Sequence, residues 1–166
     1  MTPDELSVLF EGRTRFTSRL AEHENPLVAA RQLLRDIPED ELVEALNAHP
    51  RIGGRPASMR SANEQGTEED PAVLSELARL NQAYEDRFGF RFVVFVKSRP
   101  RSEILRVLQQ RLNRTRDQEL STAINDLVSI AEDRYRRGAL NDPLTPPLSP
   151  EGREHGDRRK GNGGHR

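Results

Sequence analysis

The chain has 166 residues, the size of one ordinary domain, and its 26 Lys and Arg against 27 Asp and Glu leave a formal net charge of −1. That balance lacks the basic excess of a nucleic-acid-binding surface, and the absence of cysteine excludes disulfides, thiol nucleophiles and Cys-based metal sites. No apolar run approaches the roughly 18 residues of a membrane span, and Met1-Thr2-Pro3-Asp4-Glu5 lacks the basic start and apolar stretch of a secretory signal. The expected compartment is therefore the cytoplasm, with neither nucleic acid nor membrane as a partner.

Helix punctuation recurs along the chain. Thr2-Pro3-Asp4-Glu5 offers an N-cap, a first-turn proline and a capping-box glutamate. Asn25-Pro26 repeats the device before Leu27, Ala30, Leu33, Leu34 and Ile37, which fall at helical spacing. Pro38-Glu39-Asp40 opens a further helix with Leu42, Ala45 and Leu46 on one face. That helix runs toward Ala48, and Pro50 disfavours helical geometry at His49. His49 is thus placed at a helix C-terminus, where the backbone dipole favours a protonated imidazole and a nearby carboxylate would favour it further. A histidine there can equally do no more than cap the last turn.

Residues 51–69 are rich in Gly and Arg with little periodicity and read as a long loop, a feature often tied to function. Ser61, Glu64 and Gln65 lie within it and together present several hydrogen-bonding groups to one small polar ligand. Gly53-Gly54 is a turn signal only, and Arg51, Arg55 and Arg60 read as a solvated rim. Asp70-Pro71 then opens a helix carrying Leu74, Leu77, Ala78, Asn81, Tyr84 and Phe88. Phe90 to Val96 breaks the helical pattern: its β-branched and aromatic residues predict an extended stretch, packed against helices because no second strand is offered. Its backbone groups must find partners, and a ligand can be one of them.

Ser102 precedes Ile104, Leu105, Leu108 and Leu112, and Thr115 with Gln118 forms a capping box for the last helix, with Gly138 as its stop. Arg134 falls on the apolar stripe of that helix, seven residues after Leu127. A guanidinium turned inward needs an anion, supplied by a salt bridge or by a bound ligand. From Asn141 the chain is rich in Pro, Gly and charge, and too poor in apolar residues to offset its ordering entropy. The expected organisation is all-α: one compact helical-bundle domain over 1–140 with a single extended apolar segment, followed by a disordered tail over 141–166. No histidine or carboxylate pair has metal-ligand spacing on a helix.

Three separated motifs, in order, carry a family resemblance: Asn47-Ala48-His49-Pro50-Arg51-Ile52-Gly53, Ser61-Ala62-Asn63-Glu64-Gln65, and Leu80 through Phe92. With Arg111-Leu112-Asn113 and Ile130 through Tyr135, the chain resembles the decarboxylases of 2-oxo-4-hydroxy-4-carboxy-5-ureidoimidazoline (OHCU) over roughly residues 5–137. The resemblance implies an all-helical, cofactor-independent enzyme that takes a small anionic heterocycle to (S)-allantoin in urate degradation. It implies catalytic roles for His49 and Glu64, with Pro50, Ser61, Gln65, Arg134 and the backbone of Phe92, Val93, Val94, Phe95 and Val96 binding substrate. Relatives often form dimers, so a homodimer is an expected assembly. Two departures stand out: the connection from His49 to Ser61 is short, and Tyr135 replaces a common leucine. The rival readings are a helical interaction module that kept the family frame, and a decarboxylase of another carboxylated heterocycle.

Overall fold

A computed structural model describes residues 1–53 and 70–141. These form seven α-helices in the order α1 (Pro3–Leu9), α2 (Arg15–Leu20), α3 (Pro26–Asp36), α4 (Glu39–Asn47), α5 (Pro71–Phe88), α6 (Arg101–Arg111) and α7 (Arg116–Arg136), then a short 3-10 helix, Ala139–Asn141. The all-α expectation holds among these residues. Residues 54–69, where the sequence predicts a loop carrying Ser61, Glu64 and Gln65, lie outside the described residues, as do residues 142–166.

The capping signals act largely as read. Thr2 and Thr115 close full capping boxes with Glu5 and Gln118, and Asp70 accepts a hydrogen bond from the Ala72 amide. Asn25 makes no side-chain cap, and Pro26 alone fixes the start of α3. Helix α6 begins at Arg101 rather than after Ser102, with Pro100 as its N-cap. Helix α2 is absent from the sequence reading. Its six residues are held by reciprocal bonds between Thr14 and Thr17, and it buries Phe16 and Leu20. An element that short shows too little periodicity to stand out.

Helix α7 spans about 30 Å at 1.5 Å per residue and packs along α1 and α3, while α5 packs on α6. Leu127, Val128 and Ala131 of α7 meet a continuous apolar core that includes Leu6, Leu9, Phe16, Leu34, Leu46, Leu77 and Ile104. The 3-10 helix lies against α1 and α7, with Ala139 fully buried. Among the described residues, no helix is long and apolar enough to cross a membrane.

Candidate active site

Helix α4 turns Leu42, Ala45 and Leu46 into the core and stops at Asn47, so the following residues meet the interior as irregular chain. The carbonyls left over at a helix end need donors, and Arg91 supplies them. Its Nη1 donates to the Asn47 carbonyl at 2.7 Å and to the His49 carbonyl at 3.0 Å, while its amide donates to Asn47 Oδ1 at 2.9 Å. Beyond His49, Asn81 Nδ2 donates to the Ile52 carbonyl at 2.9 Å. Arg51 makes a two-pronged ion pair with Glu85 at 2.6 and 2.8 Å. Gly53, at φ 82, lies so near α5 that an added Cβ would stand 3.4 Å from Leu77 Cδ1. His49 is therefore clamped from both sides. A cavity of about 240 Å³ on the α5 side is lined by Arg51, Ile52, Gly53, Ala78, Asn81 and Gln82, and His49 takes no part in it.

The imidazole of His49 is buried, and among the described residues neither ring nitrogen has a hydrogen-bond partner. Leaving a buried polar group unsatisfied costs about 1–3 kcal/mol, so such a group calls for an explanation. Burial pushes its pKa down to about 4, and the Arg134 guanidinium pushes the same way. Glu11 pulls it back up, as does the nearby Ala45 carbonyl, whose geometry falls short of a full hydrogen bond to the ring. This corrects the expectation of a protonated ring at the helix end. A helix dipole is worth about 0.3–1 kcal/mol at an exposed end, whereas full burial shifts a pKa by up to about 3–5 units. In the free protein His49 is neutral at pH 7.

Arg134 lies on the apolar stripe as expected, 2% exposed. Among the described residues its anion is Glu11, at 2.8 Å from Nη2, and Nη1 donates to the Val8 carbonyl at 2.9 Å and the Leu9 carbonyl at 3.4 Å. The sequence required a partner for this arginine and left the choice between a salt bridge and a ligand open. The structure supplies the salt bridge while keeping the cation close enough to act on His49. Glu11 escaped the sequence reading because it lies 123 positions away. The only local signal was the Glu11-Gly12 turn.

Residues 91–96 form neither helix nor strand, and Phe92, Val93, Val94 and Val96 are buried. Side chains hold this segment in place of a sheet. Arg111 donates to the Val93 carbonyl at 3.0 Å, Asp126 accepts from the Phe95 amide at 3.2 Å, and Arg99 donates to the carbonyls of Phe95 and Val96 at 2.6 and 2.9 Å. Arg111 also lies over the Phe92 ring, 4.7 Å from its centre. It is paired at 2.8 Å with Glu119, which is fully buried and accepts from Tyr84 at 2.5 Å and from Arg114 at 2.9 Å. Burial, then the bond to Glu119, raises the Tyr84 pKa well above its usual value, so it stays a donor. Among the described residues, the amide and carbonyl of Val94 have no hydrogen-bond partner. Of the expected site residues, Arg134 lies near enough to His49 to act on its charge, Pro50 follows His49 in the chain, and Arg91, just before the 92–96 segment, donates to the His49 carbonyl.

Comparison with known proteins supplies the deciding observation: the sequence model of OHCU decarboxylase matches residues 5–136. The chain belongs to the OHCU decarboxylase family. It is 32% identical over 114 residues to 2-oxo-4-hydroxy-4-carboxy-5-ureidoimidazoline decarboxylase from Haloferax volcanii, covering 64% of this chain and 66% of the relative. A protein of the same name from Halalkalicoccus jeotgali is 29% identical over 103 residues, covering 59% of this chain and 58% of the relative. The matches thus span between 58% and 66% of these relatives' length. A crystal structure of OHCU decarboxylase in the presence of (S)-allantoin aligns at 26% identity with a TM-score of 0.70, covering 84% of this chain and 100% of that one. The fold is also shared with (S)-allantoin synthase, with a TM-score of 0.62 at 22% identity over 81% of this chain and 48% of that one. The OHCU decarboxylase match contains both His49 and Arg134, and residues 142–166 fall beyond it.

Proposed function

We propose that this chain is a cofactor-independent decarboxylase that converts OHCU to (S)-allantoin in urate degradation, with His49 as its proton-transfer residue. The observation that carries this reading is the buried imidazole, with neither nitrogen hydrogen-bonded among the described residues, beside a buried arginine. A neutral ring, a nearby cation and a dry surrounding suit a small anionic substrate. The substrate's own oxo-imidazoline ring accepts the electron pair released with CO2, so the protein has to orient, desolvate and move protons.

Because His49 begins neutral, its proton has to come from the substrate. In our reading the imidazole takes the proton of the substrate hydroxyl and returns it to one face of the carbon that becomes the stereocentre of allantoin, while solvent protonates the ring nitrogen. The arriving carboxylate brings negative charge that favours the protonated imidazole at the moment it forms. Glu64 orients His49 and holds the hydroxyl, Ser61 and Gln65 bind the ring and ureido edges, and Pro50 walls the pocket. Unpaired backbone of the Phe92–Val96 segment reads the same edges. Arg134 binds the anion without gripping the departing carboxylate, since tight ground-state binding slows its loss.

The test follows the decay of freshly generated OHCU. The parent chain should accelerate it, and His49→Asn should reduce turnover at least about 100-fold with the helical spectrum unchanged. Near-normal turnover by the variant would end the assignment. We also propose that the enzyme acts in the cytoplasm as a homodimer with no nucleic-acid partner. Light scattering giving a single-chain mass at micromolar concentration would refute the dimer.

A further inference from the structure

The ion pair beside His49 rests on an uneconomical backbone. Helix α1 ends in a Schellman turn, closed by the Gly12 amide donating to the Ser7 carbonyl at 2.8 Å. The left-handed position of such a turn usually holds glycine, which has no Cβ to clash. Here Glu11 occupies it, at φ 59, and the glycine comes one residue later. A conformation disfavoured for a long side chain persists only where its surroundings over-determine it, and such positions gather at functional sites. This one aims a carboxylate inward. The Glu11 side chain is 8% exposed and meets Arg134 Nη2 at 2.8 Å. The carbonyls of Val8 and Leu9, from the same turn, accept from Nη1. Three acceptors from one turn thus fix the plane of the guanidinium. Were the contact only structural, a glycine turn with an apolar side chain in place of Arg134 would serve as well, since buried ion pairs seldom outperform apolar packing.

We propose that Glu11 is a positioning residue of the His49 site, holding the Arg134 guanidinium in the orientation in which it binds the anionic substrate. The inference rests on the decarboxylase reading above. Glu11 does not touch the substrate. It sets where the receiving cation sits, and its charge opposes that of Arg134 at His49.

The experiment uses the full chain with Glu11→Gln and Glu11→Asp, assayed where circular dichroism shows each variant folded. The Gln side chain keeps length and one acceptor but loses charge. Asp keeps charge and tolerates the left-handed backbone better, but is too short to hold the guanidinium in place. Both should raise KM for OHCU about tenfold or more with kcat little changed, the signature of lost substrate binding. A purely structural pair would lower the melting temperature and leave KM alone. A KM within about twofold of the parent in folded Glu11→Gln overturns the proposal, as does failure of both variants to fold. If the parent chain does not turn over OHCU, the decarboxylase reading falls on its own, and solvent exchange of the Arg134 guanidinium protons decides about Glu11. Exchange at least about tenfold faster in Glu11→Gln supports the positioning role, and unchanged exchange refutes it.

Discussion

Burial acts oppositely on the two bases at the centre of the site. The Arg134 guanidinium, always charged, meets Glu11 and two carbonyls, while His49, without such partners among the described residues, loses its proton. That difference sets an acid limit on stability. The unfolded chain binds a proton at His49 near pH 6.5 and the folded chain near 4. Between these values acid favours the unfolded state, so this contribution is fully present above pH 6.5 and is lost as pH falls toward 4. The shift corresponds to a loss on the order of 3 kcal/mol. Denaturant titrations from pH 7 to 4 should show it in the parent chain and a flatter profile in His49→Asn. Equal slopes would mean that His49 titrates normally. At this scale the sequence marked His49 and Arg134 through the Pro50 break and the apolar stripe. It missed the direction of the His49 shift, because how deeply the ring is buried depends on contacts from distant parts of the chain.

Helix ends and the extended segment show what local signals can carry. Capping boxes at Thr2 and Thr115 involve residues three apart, and the stop at Pro50 acts on the residue directly before it. All were legible. The break in the helices at 91–96 was legible from its β-branched and aromatic composition, but its anchors were not, since Arg111 and Asp126 reach it from 18 and 31 positions away. Those anchors make a prediction. Arg111→Met would leave Glu119 with only Tyr84 and Arg114 and free the Val93 carbonyl. Breaking a buried pair from one side costs about 3–5 kcal/mol, so the melting temperature should drop sharply, and KM should rise because the segment loses its hold. An unchanged melting temperature would show that the network adds little. By contrast, Arg91→Ala removes donors to the Asn47 and His49 carbonyls, and should lower kcat by about tenfold through a displaced imidazole. A kcat equal to that of the parent would show that the clamp is dispensable.

Across the molecule, α1, α4 and α7 bring together residues from both ends of the chain: Glu11, His49 and Arg134. The helical class followed from periodicity and punctuation, whereas this convergence depends on α7 lying along α1, a packing choice that no single stripe encodes. Because the core closes at Ala139, a chain ending at Asn141 should keep its melting temperature and its turnover. Loss of either would assign residues 142–166 a part in the fold or the site. The central claim is that His49 delivers a proton to one face of a decarboxylated intermediate, and it predicts a handed product. Decarboxylation without facial control gives both hands of allantoin equally, so the direct test is the circular dichroism of allantoin formed from fresh OHCU. The account predicts (S)-allantoin in excess with the parent chain and a racemate with His49→Asn. A racemic product from the parent chain, or a handed one from the variant, would contradict it.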